Sequence, residues 1–356
     1  MLGTCLQNVR EKGPLVHNIT NYVTVNDVAN VILACGASPI MSDEPQDVQD
    51  ITAICGGLNI NIGTLNVRTI EGMLAAGHKA NELSHMVLLD PVGAGASSLR
   101  TNTAVNLMQE IKFDVIRGNI SEIKTLAAGS GTTKGVDADV ADAVTEENLD
   151  EAVVFAKAFS EKSGSIVAIT GAIDLVSDGR KCYVIRNGRP EMGRITGTGC
   201  QLSGLMTAYL VANPEQKLEA AAAAVCTMGL AGEIGWSYMQ KGDGNSTYRN
   251  RIIDAIYNMT GEQLDEGANM KCDKNDLLLY AVTDRSWLNA ETLYSQVEKA
   301  LEGGATFVQL REKHLDYDAF LQEARNQGIV CKIIRYRLCW TMMWSLHWKL
   351  ARTEFM

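Results

Sequence analysis

Between residue 14 and about residue 260, short runs rich in β-forming residues alternate with longer runs whose apolar residues recur at helical spacing. This alternation predicts an α/β layer fold with a largely parallel central sheet, because successive parallel strands need a crossover helix between them. Helices are predicted over 26–35, closed by Gly36, and over the alanine-rich run 218–234. The predicted strands are 39–41, 59–62, 86–89, 114–116, 166–169 and 183–186.

Five of these predicted strands end in a polar or glycine-rich cluster. In an open α/β sheet, ligands bind beyond the carboxyl ends of the strands. The five clusters therefore predict a single binding crevice at one edge of the sheet. The clusters are 42–44, 63–64, 90–93, 117–119 and 170–171.

Composition narrows the function classes. The net charge of −10 disfavours nucleic acid as a partner, since such partners need a basic face. No apolar run reaches about 18 residues, which predicts no membrane span, and residues 1–13 lack the apolar core of a secretion signal. The nine cysteines include no Cys-x-x-Cys pair, so reduced thiols and a cytoplasmic protein are expected.

Residues 194–206 place two glycines and a cysteine at the start of an apolar helical run. Gly197 and Gly199 leave backbone amides uncovered, and Cys200 is predicted in the first helical turn. The helix dipole there favours a phosphoryl group and is expected to lower the pKa of the thiol. The alternative is a small cysteine that is simply an inert part of the core.

A second group of residues indicates phosphate and metal chemistry. Residues 90–95 are glycine-rich but match neither the Walker loop nor the dinucleotide fingerprint, so the phosphate site is expected at 197–199 instead. Glu122, with Asp90 on a neighbouring strand end, is predicted to organise water around Mg²⁺. Its alternative is ordinary helix capping with Ser121. Arg117 is predicted to contact nucleotide phosphates, with a surface salt bridge as the alternative.

The remainder of the chain has a different organisation. Residues 269–276 are predicted to be a linker, and residues 277–324 read as strand, helix, strand, helix. This is the beginning of an eight-stranded α/β barrel that the rest of the chain is too short to close. Residues 325–356 are basic and rich in tryptophan, and we predict a poorly ordered, out-of-frame extension. A membrane-surface helix is the alternative for this tail.

Six ordered blocks between about residues 5 and 260 resemble the hydroxyethylthiazole kinases of thiamine salvage. The resemblance implies a ribokinase-like three-layer fold over residues 1–268. It also implies transfer of the ATP γ-phosphoryl to the hydroxyl of 4-methyl-5-(2-hydroxyethyl)thiazole, with Mg²⁺, in a homotrimer with pockets at subunit interfaces. The blocks are 16–23, 38–42, 61–65, 89–95, 116–122 and 196–200.

The same resemblance assigns roles to individual residues. It implies that Cys200 is catalytic and that residues 197–199, including Thr198, form the anion hole. The thiazole is expected at Met41, Gly197, Asn21, Gly63 and Thr64; ATP at Arg117 and Thr170; and the metal at Asp90, Asn119 and Glu122.

Residues 277–324 resemble the opening of thiamine-phosphate synthase through the runs 280–284 and 308–313. That resemblance implies that Gln309, Arg311 and Lys313 would contact a pyrimidine diphosphate. Because the later strands are missing, we expect the synthase activity to be lost.

Three other readings of the whole chain remain open. One is an ATP- or ADP-dependent lyase of the same fold, and another is a thiol-nucleophile enzyme with a histidine partner. The third is a non-catalytic remnant.

Overall fold

The computed structural model describes residues 2–129 and 143–272, followed by 280–283, 292–302, 307–311, 319, 322 and 337–341. The chain separates into two compact units that divide between Lys271 and Cys272. The first unit contains the predicted α/β layer fold, and the second contains the predicted barrel fragment.

A nine-stranded sheet is the centre of the first unit, in the order β2-β1-β3-β4-β5-β6-β7-β8-β9. The strands from β2 to β6 in this order pair in parallel, and β6, β7 and β8 form an antiparallel meander. The largely parallel α/β fold is thus confirmed. The strands are β1 Leu15–Ile19, β2 Ser38–Met41, β3 Gly57–Asn61, β4 Met86–Asp90, β5 Val115–Gly118, β6 Ile166–Ile169, β7 Asp174–Ser177, β8 Cys182–Ile185 and β9 Met270–Cys272.

Three of these strands had no predicted counterpart: β1, β7 and β9. β7 has only four residues and is joined to β6 by a short turn, so it lacks a crossover helix as a sequence signal. β9 lies inside the segment 269–276 that was predicted to be a linker. β9 extends one residue past the boundary between the two units, to Cys272.

Helices cover both faces of the sheet and give the three-layer architecture. On one face lie α1 Leu2–Lys12, α2 Val25–Cys35, α8 Thr198–Ala212, α9 Lys217–Ser237 and α10 Asn245–Asn258, with the short α11 Gly261–Gly267 against α1. On the other face lie α3 Val48–Ile54, α4 Val67–Glu82, α5 Ser98–Glu110, α6 Ile120–Gly129 and α7 Leu149–Ser163.

Strand alternation decides which side chains face helix α8. Successive residues of a strand point to opposite faces of a sheet. Leu58 and Ile60 of β3 belong to the core under α3 to α7, so Asn59 and Asn61 point toward α8. The same parity puts Asp90 of β4 and Arg117 of β5 on the α8 side. Polar residues from three neighbouring strands are thereby gathered under one helix.

Helix α9 lies within the run Pro214–Ser237, which by length and composition is apolar enough to cross a membrane. In the fold, 83% of its most apolar window is buried against other elements. Packing in the core therefore accounts for its apolar surface.

The second unit contains three parallel strands in the order β10-β11-β12. β10 Tyr280–Val282, α12 Leu293–Glu302 and β11 Phe307–Arg311 match the predicted strand, helix and strand. The predicted second helix over 317–324 lies mostly outside the described residues. β12 Arg337–Thr341 falls within the segment that was predicted to be an out-of-frame tail, and it pairs in register with β11.

Candidate active site at the start of helix α8

Cys200 lies in the first turn of α8, as the sequence predicted, and only 7% of its surface is exposed. Two side-chain amides donate hydrogen bonds to its sulfur, from Asn21 Nδ2 at 3.2 Å and from Asn61 Nδ2 at 3.2 Å. No histidine is among its hydrogen-bond partners in the described part of the chain. The arrangement therefore differs from a cysteine–histidine pair.

The expected lowering of the thiol pKa is wrong for this structure. Burial, followed by the negative charge of Asp90, raises the pKa of Cys200. Arg117 and the amide of Asn61 act in the opposite direction but are outweighed. The thiol is buried and has lost its contact with water. Its position at the start of a helix does not reveal this burial.

Asp90 and Arg117 form a buried ion pair next to Cys200. Asp90 has no exposed surface, and Arg117 Nη1 lies 3.3 Å from each of its carboxylate oxygens. Asp90 Oδ2 also accepts hydrogen bonds from Asn61 Nδ2 and Ser203 Oγ, both at 2.8 Å. Arg117 Nη2 donates to Thr170 Oγ1 at 2.7 Å. The surface salt bridge considered for Arg117 is therefore not what the structure contains.

The two glycines of the predicted anion hole are needed for different reasons. Gly197 is the N-cap of α8 with a φ of 80°, and an added Cβ would lie 2.9 Å from Thr24 Cβ and overlap its methyl group. Gly199 has ordinary backbone angles, but an added Cβ would lie 2.7 Å from Arg117 Nη1. Because Gly197 has no side chain to cap the helix, the first amides of α8, including that of Thr198, remain available to an anion.

A cavity of about 680 Å³ opens beside this helix start. Its lining includes Arg117, Asn119, Thr170, Thr198 and Gly199, so the predicted ATP residues and most of the anion hole share one space. The lining also includes apolar side chains, among them Leu202, Val225 and Met228. A phosphate chain beside the polar residues and an aromatic base against the apolar side chains both suit this lining.

Glu122 and Asn119 form the N-terminal cap of α6. Asn119 Oδ1 accepts from the Glu122 amide, and Glu122 Oε2 accepts from the Asn119 amide, both at 2.8 Å. The cap is therefore Asn119 and not Ser121. Glu122 Oε1 also accepts from the Gly93 amide at 2.8 Å. Burial raises the pKa of Glu122 more than these two amides lower it.

The predicted metal residues fit Mg²⁺ held through water better than they fit a cage of direct protein ligands. Asp90 already accepts from three side chains, whereas each Glu122 oxygen accepts one hydrogen bond and retains a lone pair. Among the described residues, no group of three or more His, Cys, Asp or Glu side chains is arranged to hold a metal. Hard oxygen donors with few direct protein contacts are typical of Mg²⁺ that also binds substrate phosphates.

The predicted thiazole residues differ in how directly they are connected to Cys200. Asn21 contacts the sulfur directly, and the Gly63 amide donates to Asn61 Oδ1 at 3.0 Å. Thr64 Oγ1 accepts from the Tyr22 amide at 3.2 Å. Met41 ends the edge strand β2, where it pairs with Asn18 of β1. Met41 lies at the edge of the sheet where the site was predicted, but it makes no hydrogen bond to Cys200.

Sequence reasoning missed three residues of this site: Asn61, Ser203 and Asp174. Asn61 is the first residue of the block 61–65 and follows Asn59 by two residues on one strand. This spacing could have indicated that both side chains lie on the same face of the sheet. Ser203 follows Cys200 by three residues and so shares its helix face. Asp174 lines the cavity and accepts from the Gly171 amide at 2.8 Å, and burial raises its pKa to about 7.

Gly199→Ala tests the close approach of α8 to Arg117. The new methyl group is expected to push the guanidinium away from Asp90 and Thr170, which should raise the KM for ATP about tenfold or more, as expected when a charged hydrogen-bonding group is displaced. Steady-state kinetics at varied ATP would measure this. Gly244→Ala is the control, because Gly244 does not line the cavity, has an extended backbone conformation, and an added Cβ there has open space around it. Unchanged ATP kinetics in Gly199→Ala would contradict the structure.

Comparison with known proteins finds related sequences and a related solved structure. The sequence model described as the hydroxyethylthiazole kinase family matches residues 6–262. A protein of Clostridium acetobutylicum named hydroxyethylthiazole kinase is 60% identical over 268 residues, covering 75% of this chain and 98% of that protein. One of the same name from Methanocella arvoryzae is 42% identical over 263 residues, covering 74% and 95%.

The solved structure of a hydroxyethylthiazole kinase protein from Pyrococcus horikoshii is also similar, with a TM-score of 0.68 and 32% identity. The match covers 76% of this chain and 98% of that one. A second family model, described as thiamine monophosphate synthase, matches residues 279–341. That match extends beyond residue 324, where the sequence analysis ended the synthase-like fragment.

Proposed function

The chain belongs to the hydroxyethylthiazole kinase family, and from this membership we propose that it transfers the γ-phosphoryl group of ATP to the hydroxyl of 4-methyl-5-(2-hydroxyethyl)thiazole. The observation that carries the proposal is the position of Cys200. Its sulfur accepts a hydrogen bond from Asn21, which is expected to bind the thiazole, and the two residues before it, Thr198 and Gly199, line the nucleotide-sized cavity. The start of α8 is therefore where a phosphate donor and an alcohol acceptor would meet.

The reaction follows from the groups present at this point. The substrate oxygen forms a bond to the γ-phosphorus while the bond from phosphorus to the ADP oxygen breaks, and the hydroxyl proton passes to Cys200 Sγ in its thiolate form. Phosphoryl transfer depends mainly on alignment and on stabilisation of the oxygens of the transferred group. The amides of residues 198–200 and the Arg117 guanidinium supply that stabilisation.

Magnesium is part of this proposal. When bound, Mg²⁺ would neutralise charge on the nucleotide phosphates. Asn119 and Glu122 would hold its water shell, since their side chains lie at the mouth of the cavity or next to it. Asp90 would contribute indirectly, by holding the side chains of Arg117 and Asn61 in place. Removal of divalent cations by EDTA should abolish turnover, and added Mg²⁺ should restore it.

The direct test is incubation of the full-length chain with ATP, Mg²⁺ and the hydroxyethyl thiazole, followed by mass analysis of the product. A thiazole phosphate supports the kinase. The lyase reading predicts ATP- or ADP-dependent dehydration of a hydrated nicotinamide cofactor instead, and the remnant reading predicts ligand binding without turnover. Failure to form the thiazole phosphate under these conditions would remove the proposal.

We further propose that the C-terminal unit has no synthase activity. An eight-stranded barrel needs about 200 residues or more, whereas the match to the synthase model is confined to residues 279–341. Formation of thiamine phosphate from the thiazole phosphate and the pyrimidine diphosphate would show that this is wrong.

A chain ending at Cys272 is expected to keep its thiazole kinase turnover within about twofold of the full chain. The first unit has its own core, and Cys272 completes the edge strand β9. A chain ending at Asn269 removes that strand and is the matched comparison. It should melt at a lower temperature, because β9 is hydrogen-bonded to β8 at the end of the sheet and its removal leaves that edge unpaired. Loss of activity at Cys272 would show that the second unit supports the first.

The family resemblance also supports a homotrimer with the pocket shared between subunits, and a cytoplasmic location where ATP is supplied. Tyr22 and Val23 are 62% and 69% exposed directly after Asn21, so apolar surface borders the site and suits a subunit contact. Native mass spectrometry would test the trimer, and a fluorescent fusion would test the location.

A further inference from the structure

Within the described part of the chain, Asn61 is the side chain that hydrogen-bonds to both Cys200 and Asp90. Its Nδ2 donates to Cys200 Sγ at 3.2 Å and to Asp90 Oδ2 at 2.8 Å, and only 1% of the residue is exposed. Its Oδ1 accepts from the Gly63 amide at 3.0 Å and from Asn21 Nδ2 at 3.1 Å. Every polar atom of this side chain is thus used within the site.

The neighbours of Asn61 leave only one orientation for its amide. A backbone N–H can only donate, so the atom facing Gly63 must be the oxygen. An ionised carboxylate can only accept, so the atom facing Asp90 must be the nitrogen. The same reasoning applies to Asn21, whose Oδ1 accepts from the amides of Val23 and Thr24.

The fixed orientations have a consequence for the sulfur. Because both amides present their nitrogens, Cys200 Sγ is held as the acceptor of two hydrogen bonds. These two hydrogen bonds restrict where the sulfur can lie, and its thiolate form keeps a further lone pair for the substrate proton. The position of the proton acceptor is then tied to Asp90, and through Asp90 to Arg117 at the phosphate side.

We propose that Asn61 is a positioning residue for the kinase reaction. It holds Cys200 Sγ at a fixed position relative to the Asp90–Arg117 pair. This inference rests on the proposed function. It predicts that Asn61 acts on turnover and not on nucleotide affinity, because it has no place in the lining of the nucleotide cavity. It also predicts that the effect of Asn61 requires the sulfur of Cys200.

The chain offers a matched control on the same strand. Asn59 lies two residues before Asn61 on the same face of β3, has no exposed surface, and donates to Asn18 Oδ1 at 3.0 Å. It has no recorded contact with Cys200 or Asp90. Asn59→Ala therefore removes the same buried atoms from the same layer while leaving the site contacts in place.

The experiment measures kcat and the KM for ATP for wild type, Asn61→Ala, Asn59→Ala, Cys200→Ala and the double variant of Asn61 and Cys200. We expect Asn61→Ala to lower kcat about tenfold to hundredfold with the KM for ATP changed less than about threefold. Asn59→Ala should stay within about threefold of wild type. Adding Asn61→Ala to Cys200→Ala should cost less than about threefold more.

Several results would overturn the proposal while leaving the kinase function in place. One is an equal loss of kcat in the variants of Asn61 and Asn59, which would indicate a general role of the polar layer in the core. Another is the same fold-loss with and without the sulfur. If Asn61→Ala does not fold, Asn61→Ser keeps a hydroxyl for the Gly63 amide, and normal turnover of that variant would also refute the proposal. An inactive wild-type chain would remove the proposed function and this inference together.

Discussion

Cys200→Ala should lower thiazole kinase turnover by about two to four orders of magnitude, the usual worth of a positioned proton acceptor. The KM for ATP should change little, because the sulfur is absent from the lining of the nucleotide cavity and the amides of the helix start remain. Steady-state kinetics with both substrates varied would separate the two parameters. Its removal leaves one buried N–H of Asn21 and one of Asn61 without an acceptor, so a stability loss of about 1–3 kcal/mol is expected, which thermal unfolding would check.

The pH dependence of turnover gives an independent reading of the same residue. Burial and the charge of Asp90 raise the pKa of Cys200, so at neutral pH most of the thiol holds its proton. Turnover of the wild type should therefore increase as pH rises and the thiolate fraction grows, and Cys200→Ala should lose this increase. A variant that retains most of the wild-type turnover, with the same pH profile, would exclude Cys200 as the proton acceptor.

Asp90→Asn should be the most destabilising conservative change in the site. It leaves the Arg117 guanidinium buried without its counter-charge, and it places an amide that both donates and accepts where only acceptors fit. Breaking one side of a buried ion pair costs about 3–5 kcal/mol. Urea unfolding should show this loss, and turnover should fall as well because Arg117 is no longer held.

Asp114→Asn is the matched control for that prediction. Asp114 also pairs with a cation, Lys217, at 2.6 Å, but this pair is partly exposed and lies at the amino-terminal end of β5, away from Cys200. We expect it to cost about 1 kcal/mol and to leave turnover near that of the wild type. Equal destabilisation by the two substitutions would show that the burial of the Asp90–Arg117 pair has no special energetic role.

Sequence reasoning predicted the fold better than the site contacts. Alternating strand and helix runs indicated the parallel sheet, and glycine and polar clusters after the strands indicated the edge where the site lies. β7 and β9 escaped prediction because they have four and three residues and lack crossover helices. The location of Cys200 was predictable from its helix, but its inward environment was not, and the predicted direction of its pKa change was therefore wrong.

The sequence by itself determined properties that are set by local residue order: the α/β class and the helix start at residues 197–200. The tertiary structure decided which side chains touch. Asn61 binds the sulfur, Arg117 pairs with Asp90 instead of a surface acid, and Gly199 must lack a side chain, because β3, β4 and β5 lie side by side under α8. Contacts between residues separated by 27 to 139 positions depend on strand order and register, and these are properties of the assembled sheet.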